Sequence, residues 1–507
     1  MLTKIIATSN NKITVATLES IKPKFKSYAG VASEAVDLAK TGGLADAVPP
    51  LVKEMHKLGV DSRFFMPLYK QIPRSNAEKI FDIKVRLGGE LVPGIVLIGK
   101  IPHTDIPAYF IGNDHFFNRD GGLYVDKNKQ EYKDSNLRFT FFNRGVYETM
   151  IALRWTPDIL HAHDWQAALC PALKDQMTIG NPQFKGMKTA ISIHNIAFSG
   201  KFSRETISIA GFKESDYTPE RFEFYDSFSF LKAGVVTSDV VFTVSPHYAK
   251  QILNQKNGCG FDGILNVHKE KLFGIVNGKE DSWDPWNDNY LKEKYDSQSV
   301  TRGKEENKKH LLKRFNLKYD PAKPVFGFVG RLTWQKGIDI IVESIERLLK
   351  EKDAQFILLG TGDERYHYEL EMLRNRYPDN LGIALCYDEA LSHLIIAGVD
   401  FILYPSRDEP CGLVQIFAEG DGTPPVVSEE GGLKDTVKDF DPETGTGTGV
   451  VINEVTPDAL LEAMGRCMKY FDNKELLLTL RKNGMAEDFS WGKSAIEYVK
   501  VFNSLMP

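Results

Sequence analysis

Short apolar runs alternate with amphipathic segments along most of the chain. Near-continuous apolar runs of this kind are typical of parallel strands that are covered on both faces. Between them, segments such as residues 338–349 carry isoleucine and leucine on one helical face and charged residues elsewhere. The predicted strands lie at residues 64–66, 159–160, 190–193, 240–244, 325–329, 356–359, 383–385, 401–404 and 426–427.

The same alternation occurs on both sides of a central linker, which predicts an α/β fold of two doubly wound domains. We place the boundary near residues 273–283, before a polar stretch at 287–307. In such folds ligands bind at the carboxyl ends of the parallel strands, so functional residues should directly follow the apolar runs. The predicted segments are an N-terminal domain at 1–273 with an atypical stretch at 1–29, a second domain at 274–489, and a final helix at 490–507.

The composition is that of an ordinary globular protein, with 42% hydrophobic and 26% charged residues. The 63 basic and 68 acidic residues give a formal charge of -5, which argues against a dedicated nucleic-acid binder. No apolar run approaches the ~18 residues that cross a bilayer, so no membrane partner is predicted. Five scattered cysteines without a CxxC pair favour a reduced, cytoplasmic protein. Residues 1–29 faintly resemble a transit peptide, which makes a plastid location the alternative.

A glycine-rich segment, KTGGLAD at residues 40–46, opens a predicted helix. Gly42 and Gly43 allow close approach of the backbone to a ligand, and a helix N-terminus with Lys40 beside it attracts phosphate. The segment matches neither the P-loop nor the dinucleotide-binding fingerprint. An ordinary turn is the structural alternative.

Two segments that contain histidine end predicted strands in the first half. His161 and His163 share one strand face, which would suit a metal pair, but no further ligands at a metal-binding spacing accompany them. A hydrogen-bonding role for Asp164 at the strand end is preferred, with a purely structural His–Asp corner as the alternative. His194 could offer hydrogen bonds to a sugar hydroxyl, and a buried core histidine is the alternative there.

In the second half, Arg331 and Lys336 flank a turn at the start of a predicted helix. Two cations and a helix N-terminus suit a diphosphate whose negative charge grows as a bond breaks, whereas a basic surface turn is the alternative. Glu409 follows the strand at 401–404 and could bind sugar hydroxyls. Cys411 has no His–Asp partner set, so we interpret it as packing or as lining of the phosphate site.

Ten segments occur in order along the chain: KTGGLAD, PDILHAHDWQ, HNIAFSG, GFDGILN, GRLTWQKGID, LLGTGD, CYDEALSH, YPSRDEPCGL, GGLKDTV and DFSWGKSAIEYV. Together they resemble the glycogen/starch synthase family of retaining, two-domain (GT-B) glycosyltransferases, over roughly residues 31–507. The resemblance implies two Rossmann-like domains with a cleft between them. It also implies that the first domain serves the glucan acceptor, that the second binds the nucleotide sugar, and that the final helix crosses back to the first domain.

The activity implied by the resemblance is transfer of glucose from ADP-glucose to the non-reducing end of an α-1,4-glucan (glycogen or starch) with retention of configuration. No metal and no other cofactor is implied. Arg331 and Lys336 would hold the donor diphosphate, and Tyr387 would stack on the adenine. The catalytic residues implied are Glu409, His194, Asp164, Arg331 and Lys336, and the donor-binding residues are Lys40, Gly42, Gly43, Asn195, Asn277, Tyr387, Cys411, Gly412 and Leu413.

Several positions depart from the family pattern. The first strand, around residues 24–30, is expected to be weak or shifted, and Pro49-Pro50 is expected to bend or restart the helix after KTGGLAD. The departures near the implied site leave two alternatives open. One is an enzyme of the same fold that uses UDP-glucose, and the other is a weakened relative that binds glucan without turnover. These departures are Lys279, Glu280, Asp408, Ser428 and Glu430.

Overall fold

The computed structural model describes residues 21–507, apart from the side chain of Asn76. The described residues divide into two compact units, one of residues 21–278 with 491–507 and the other of residues 279–490. The boundary that the sequence placed after residue 273 falls within the strand Leu272–Gly274, and this strand pairs with the sheet of the first unit. Most of the atypical N-terminal stretch, residues 1–20, lies outside the described residues.

The first unit is built on a nine-stranded sheet in the order β12-β11-β7-β6-β1-β2-β5-β4-β3. A separate three-stranded antiparallel sheet has the order β8-β10-β9. The strands are β1 (Ser27–Val31), β2 (Asp61–Pro67), β3 (Glu78–Leu87), β4 (Glu90–Lys100), β5 (Pro107–Gly112), β6 (Ile159–His163), β7 (Lys188–Ile193), β8 (Lys201–Phe202), β9 (Glu223–Phe224), β10 (Ser227–Ser229), β11 (Val240–Thr243) and β12 (Leu272–Gly274).

In the large sheet, the strands from β12 to β5 are parallel, and β4 runs antiparallel to both of its neighbours. After β1, the chain forms β2 on one side of it, and later forms β6 and β7 on the other side. The strand order therefore reverses between β1 and β6. In open α/β sheets, such a reversal creates a crevice at the carboxyl ends of the strands.

The second unit has a six-stranded sheet in the order β15-β14-β13-β16-β17-β18, and all its strands are parallel. Here the order reverses between β13 and β16. The predicted runs at 325–329 and 401–404 are strands with the predicted limits. Every residue of both strands is buried, which accounts for their continuous apolar sequence. The strands are β13 (Val325–Val329), β14 (Gln355–Leu359), β15 (Leu381–Ala384), β16 (Phe401–Tyr404), β17 (Pro425–Ser428) and β18 (Val450–Ile452).

Helices connect the strands of both units. The α-helices of the first unit are Leu44–Lys57, Asp114–Phe117, Ser135–Ala152, Asp164–Ala167, Leu169–Gly180, Thr206–Ile209, Phe230–Thr237, Pro246–Gln251, Asp262–Val267 and Trp491–Leu505. Those of the second unit are Val300–Arg314, Ile338–Glu351, Glu364–Arg376, Glu389–Gly398, Val414–Gly420, Gly431–Thr436, Pro457–Asp472 and Lys474–Met485. Short 3₁₀ turns lie at Arg74–Asn76, Pro182–Gly186, Glu214–Asp216, Lys269–Lys271, Asp281–Trp283 and Trp334–Lys336. From residue 21 onward, no helix is long and apolar enough to span a membrane.

Two local expectations about the N-terminal half each named two alternatives, and the structure rules out one of each pair. The first strand is not weak, because β1 lies in the middle of the large sheet and is buried from Tyr28 to Val31. The predicted restart at Pro49-Pro50 does not occur, since one helix runs from Leu44 to Lys57. Pro49 has no N–H to donate to the carbonyl of Ala45. That carbonyl instead accepts from the backbone N–H of Val36 at 3.1 Å.

The final helix, Trp491–Leu505, belongs to the first unit. Its buried ring of Phe502 packs edge-on against Phe25, at 5.7 Å between ring centroids, and against His161 at 5.6 Å. The ring centroids of Tyr498 and Phe242 lie 4.7 Å apart. The helix therefore covers the sheet behind the carboxyl end of β6, where the first candidate residues lie.

Candidate active site

The glycine-rich loop follows β1 and is held by a carboxylate that the sequence reasoning missed. Glu34 is buried, and its Oε2 accepts from the backbone N–H groups of Thr41 at 2.6 Å and Gly42 at 2.9 Å. Its Oε1 accepts from the hydroxyl of Tyr124 at 2.7 Å. Burial raises the pKa of Glu34, and these hydrogen bonds oppose the rise. No sequence signal links Glu34 to Tyr124, because the two lie 90 positions apart.

Lys40 and Gly43 complete this loop at the start of the helix Leu44–Lys57. The Lys40 Nζ lies 2.8 Å from a carboxylate oxygen of Asp46, and each side chain keeps more than a quarter of its surface exposed. Gly43 is the N-cap residue and has no side chain to cap the helix. A phosphate at this helix start would therefore compete with Asp46 for the lysine, which an exposed ion pair allows at little cost.

Asp164 and His194 meet at the carboxyl ends of the neighbouring strands β6 and β7. An Oδ1 of Asp164 accepts from the backbone N–H of His194 at 2.7 Å. The His194 Nε2 lies 3.0 Å from the Nδ1 of His163. Asp164 has a φ of 55°, so the chain turns sharply at the end of β6. His194 therefore contacts both Asp164 and His163 at the ends of these two strands.

These three residues, His163, Asp164 and His194, form the first cluster. Burial favours the uncharged form of each of them. It lowers the pKa of His194 to about 4 and that of His163 well below its ordinary value. Burial also raises the pKa of Asp164 to about 7, although the backbone N–H groups of His194 and Asn195 act in the opposite direction. The negative charge of Glu34 raises it further. At neutral pH the imidazoles are therefore neutral, and Asp164 titrates.

The alternative of a metal pair at His161 and His163 does not fit the contacts. The Nδ1 of His161 lies 2.8 Å from the hydroxyl of Tyr28, and its Nε2 lies 2.7 Å from the Oγ of Ser192. Both ring nitrogens of His161 are thus engaged, and its ring is fully buried. Within residues 21–507, no group of three or more His, Cys, Asp or Glu side chains is arranged to hold a metal ion.

The two predicted asparagines lie in different parts of the first unit. Asn195 follows His194 and accepts from the backbone N–H of Ala197 at 3.0 Å. Asn277 lies after β12 and is buried, with 5% of its surface exposed. It precedes Gly278, where a Cβ would press on the backbone of Trp491 at the start of the final helix. Close packing around Gly278 therefore fixes the backbone next to Asn277.

The second cluster lies where the strand order of the second sheet reverses. Lys336 follows β13, Glu409 follows β16, and their side chains form an ion pair with at most a tenth of either surface exposed. The Oγ of Ser406 lies 3.3 Å from Glu409 Oε2, and the Lys336 Nζ lies 5.1 Å from the ring centre of Tyr404. Two residues that the sequence singled out, 73 positions apart, are thus brought into direct contact.

In contrast to the first cluster, this one keeps a buried cation, Lys336. Burial alone would lower the pKa of Lys336, but the Glu409 carboxylate and Tyr404 more than offset this and hold the pKa above its ordinary value. Burial and the charge of Glu409 raise the pKa of Tyr404 to about 12, against the opposing effect of Lys336. The lysine is therefore a permanent cation and the tyrosine a neutral phenol at physiological pH.

Glycines allow the loops around Glu409 to pack closely. Gly337, with a φ of 72°, starts the helix after Lys336, and a Cβ there would collide with the carbonyl oxygen of Pro405. A Cβ at Gly431 would likewise collide with the carbonyl oxygen of Glu409. The backbone N–H of Gly432 donates to that same carbonyl at 3.0 Å. The GGL segment therefore fixes the backbone that carries Glu409.

Arg407 and Gln335, which the sequence reasoning did not assign, connect the two loops of this cluster. Arg407 makes two 2.7 Å hydrogen bonds to Asp339 and stacks over Trp334, 4.3 Å from its ring centre. The side-chain amide of Gln335 donates to Asp408 Oδ2 at 3.0 Å. Asp408, one of the departures from the family pattern, thus has a hydrogen-bonding partner. Burial and the charge of Glu409 raise its pKa.

The other predicted residues of the second unit differ in exposure. Arg331 is exposed, and its charge lowers the pKa of Tyr404, which places it near the ion pair. Tyr387 is 71% exposed, and its hydroxyl donates to Glu389 at 2.9 Å. Cys411 is buried, as expected of packing. Gly412 has a φ of 70°, and Leu413 lies at the N-cap of the helix Val414–Gly420.

The remaining departures have specific surroundings. The Ser428 hydroxyl donates to the carbonyl of Ser406 at 2.5 Å, so this buried side chain is satisfied inside the protein. Glu430 is half-buried at the N-cap of the helix Gly431–Thr436, and its charge raises the pKa of Asp408. Lys279 approaches Gly420, and its charge acts on the buried Asp421. Asp408 is thus the departure that interacts with the Lys336–Glu409 pair, and Glu430 adds negative charge near Asp408.

Comparison with known proteins covers nearly the whole chain. Residues 29–267 match the family described as "Starch synthase catalytic domain", and residues 311–485 match "Glycosyl transferases group 1". The chain is similar to glycogen synthase of Syntrophotalea carbinolica, with 37% identity over 93% of this chain and 97% of the relative. It is also similar to glycogen synthase of Elusimicrobium minutum, with 38% identity over 94% of this chain and 98% of the relative.

Among solved structures, the chain resembles the catalytic domain of starch synthase IV from Arabidopsis thaliana bound to ADP and acarbose. The TM-score is 0.86 at 29% identity, over 95% of this chain and 99% of that one. Two doubly wound units, each with candidate residues at the reversal of its strand order, together with the similarity to starch synthase IV define a GT-B glycosyltransferase. Within that class, the chain belongs to the glycogen/starch synthase family.

Proposed function

We propose that the protein is a glycogen synthase that transfers glucose from ADP-glucose to the non-reducing end of an α-1,4-glucan with retention of configuration. The observation that carries the proposal is the buried Lys336–Glu409 pair at the strand-order reversal of the second unit. The names of the similar proteins support it, as does the ADP bound in the starch synthase IV structure.

Under this proposal, the reaction breaks the bond between the glucose C1 and the donor phosphate oxygen. The acceptor hydroxyl oxygen bonds C1 on the same face, and its proton passes to the leaving phosphate oxygen. Lys336 and Arg331 stabilise the negative charge that grows on the diphosphate. Because such charge stabilisation acts mainly in the transition state, loss of one cation should raise the barrier by roughly 3 kcal/mol.

The proposed roles of the other residues follow from their chemistry. Glu409 accepts hydrogen bonds from hydroxyls of the transferred glucose, and Tyr387 offers an exposed ring on which the adenine stacks. Lys40 contributes a further cation at the glycine loop. Asp164, His194, Asn195 and Asn277 are proposed to surround the glucose. We also propose that no metal ion or cofactor is required, because lysine and arginine supply the positive charge.

Transfer of radiolabelled glucose onto glycogen tests the proposal, with ADP-glucose and UDP-glucose supplied in separate assays. We expect incorporation from ADP-glucose that is lost in Glu409→Ala and kept in Glu429→Ala, a matched variant of an exposed surface carboxylate. Addition of EDTA should leave the rate unchanged. Preference for UDP-glucose would overturn the choice of donor. Folded protein that binds glucan but incorporates no glucose would instead favour the weakened, non-catalytic relative.

The cytoplasmic location remains a prediction, with the plastid as the alternative. Cell fractionation with an antibody against the protein would decide between the two.

A further inference from the structure

Behind Asp164 lies a row of three imidazoles that the roles above use only at its end. The ring centroids of His161 and His163 lie 4.1 Å apart. The Nδ1 of His163 and the Nε2 of His194 share a hydrogen bond of 3.0 Å. His163 is 1% exposed, and its Nε2 has no hydrogen-bond partner among the described residues. His163 is thus a buried polar side chain with one engaged nitrogen, and that nitrogen faces His194.

The protons of this pair can be assigned from its contacts. A neutral imidazole has one N–H and one bare nitrogen, so one ring must donate and the other accept. If His194 donated, His163 would carry its proton on Nε2, which would be a buried N–H without an acceptor. Buried N–H groups without partners are rare in proteins because they cost free energy. The arrangement in which His163 donates from Nδ1 avoids this cost.

The same assignment fixes the tautomer of His194. When its Nε2 accepts from His163, the single proton of His194 must be on Nδ1. Burial lowers the pKa of both rings, so both are neutral at physiological pH and only the tautomer is left to be set. His194 is partly exposed, unlike His163. It would therefore present a donor N–H and not a bare acceptor nitrogen.

We propose that His163 is a positioning residue that holds His194 as the Nδ1–H tautomer, so that His194 donates a hydrogen bond to a hydroxyl oxygen of the transferred sugar. The inference rests on the proposed function for the identity of that sugar. The backbone supports it, because His163 and Asp164 are consecutive. One holds the ring of His194, and the other holds its backbone N–H.

Two variants separate hydrogen bonding from packing. His163→Asn keeps a donor N–H near the position of Nδ1, whereas His163→Leu has a similar size and no donor. We expect His163→Leu to lower kcat about tenfold or more, the effect of one lost hydrogen bond in a buried site, and to change KM less. His163→Asn should restore kcat to within a few-fold of the native value. His393→Asn, at a buried histidine bonded to Asp288 in the second unit, controls for a general loss of stability.

Nitrogen NMR of protein labelled at histidine reads the tautomer directly and does not need turnover. His194→Gln assigns the His194 signals. We expect His194 to carry its proton on Nδ1 in the native protein and in His163→Asn, and to populate both tautomers in His163→Leu. An Nε2–H tautomer in the native protein overturns the inference, as does a folded His163→Leu with native kcat. Absence of transfer by the native protein would contradict the proposed function alone, because the NMR result stands apart from it.

Discussion

The two clusters at the strand-order reversals have opposite electrostatic characters. In the first unit, burial moves the pKa of His194 to about 4 and that of Asp164 to about 7, so charge is suppressed. In the second unit, Lys336 and Glu409 are less exposed than Asp164 and His194, yet the pKa of the lysine is raised and its charge persists. Burial at similar places in two doubly wound sheets thus has different outcomes.

The difference lies in whether an opposite charge faces the buried group, since burial alone favours the uncharged form. Asp164 has another carboxylate, Glu34, among the groups that act on it, whereas Lys336 has a carboxylate as its direct partner. A buried charge persists only where an opposite charge or hydrogen bonds replace water. The first cluster is therefore suited to neutral, directional hydrogen bonds such as those with sugar hydroxyls. The second is suited to stabilising a change in charge.

Removal of the cation should break the second cluster most severely. We expect Lys336→Met to lower kcat at least a hundredfold, because the growing charge of the diphosphate loses its buried partner. The free energy of unfolding should fall by about 3–5 kcal/mol, since Glu409 is left buried without its cation. Glucose transfer and urea unfolding measure the two effects.

The double variant Lys336→Met/Glu409→Gln separates stability from activity. It should regain part of the lost stability, because no unpaired charge remains, and none of the activity. Lys350→Met, at an exposed lysine on the next helix, should change neither quantity. A double variant that is as unstable as Lys336→Met would contradict the view that the cost comes from an unpaired charge.

The pH dependence of stability should sharpen the contrast in the first unit. A carboxyl group whose pKa is about 7 when folded binds its proton more tightly than in the unfolded chain, so its contribution to stability falls as pH rises from about 4 to about 7. The full loss is about 4 kcal/mol at most. In Asp164→Asn, the free energy of unfolding, measured by urea titration from pH 4.5 to 7.5, should therefore fall less than in the native protein. The control is Asp114→Asn, at an exposed carboxylate, which should keep the native dependence of the free energy of unfolding on pH. If Asp164→Asn also kept the native dependence, Asp164 would be charged at both pH 4.5 and pH 7.5.

The smallest expected effect concerns the added negative charge beside the second cluster. Glu430→Thr should lower KM for ADP-glucose by roughly two- to fivefold, since one partly exposed charge contributes little. Its neighbour Glu429 is exposed and lies 3.3 Å from Lys434, so Glu429→Thr is the matched control. Initial rates at low ionic strength measure both. Equal KM values in the two variants would show that Glu430 does not act on the donor.

The sequence predicted the parallel cores well, because strands buried on both faces leave continuous apolar runs such as 325–329. It did not reveal the antiparallel extension formed by β3 and β4. That signal was present, since Gly88-Gly89 joins β3, which alternates buried and exposed residues towards its end, to β4. The restart that was one alternative at Pro49-Pro50 is absent for another reason. The hydrogen bond from Val36 that replaces the missing one comes from a separate segment of the chain.

Residues of the candidate site were predictable where they follow an apolar run, as Asp164, Lys336 and Glu409 do. The residues that hold them were not. Glu34 acts through a loop that folds back onto it, and Gln335 through a side-chain bond to Asp408, so their roles exist only once the chain is folded. Periodicity and spacing carry information about elements, whereas these contacts depend on how distant segments meet.

The placement of the final helix in the first unit has a consequence for synthesis of the chain. Residues 279–490 form a unit that is continuous in sequence, so it can fold once its last segment has left the ribosome. The first unit begins earlier but lacks Tyr498 and Phe502 until the helix Trp491–Leu505 has been made. During translation, the surface around Phe242 and His161 therefore stays uncovered until Phe502, 260 positions after Phe242, has been made. In this long interval a nascent chain needs protection from aggregation.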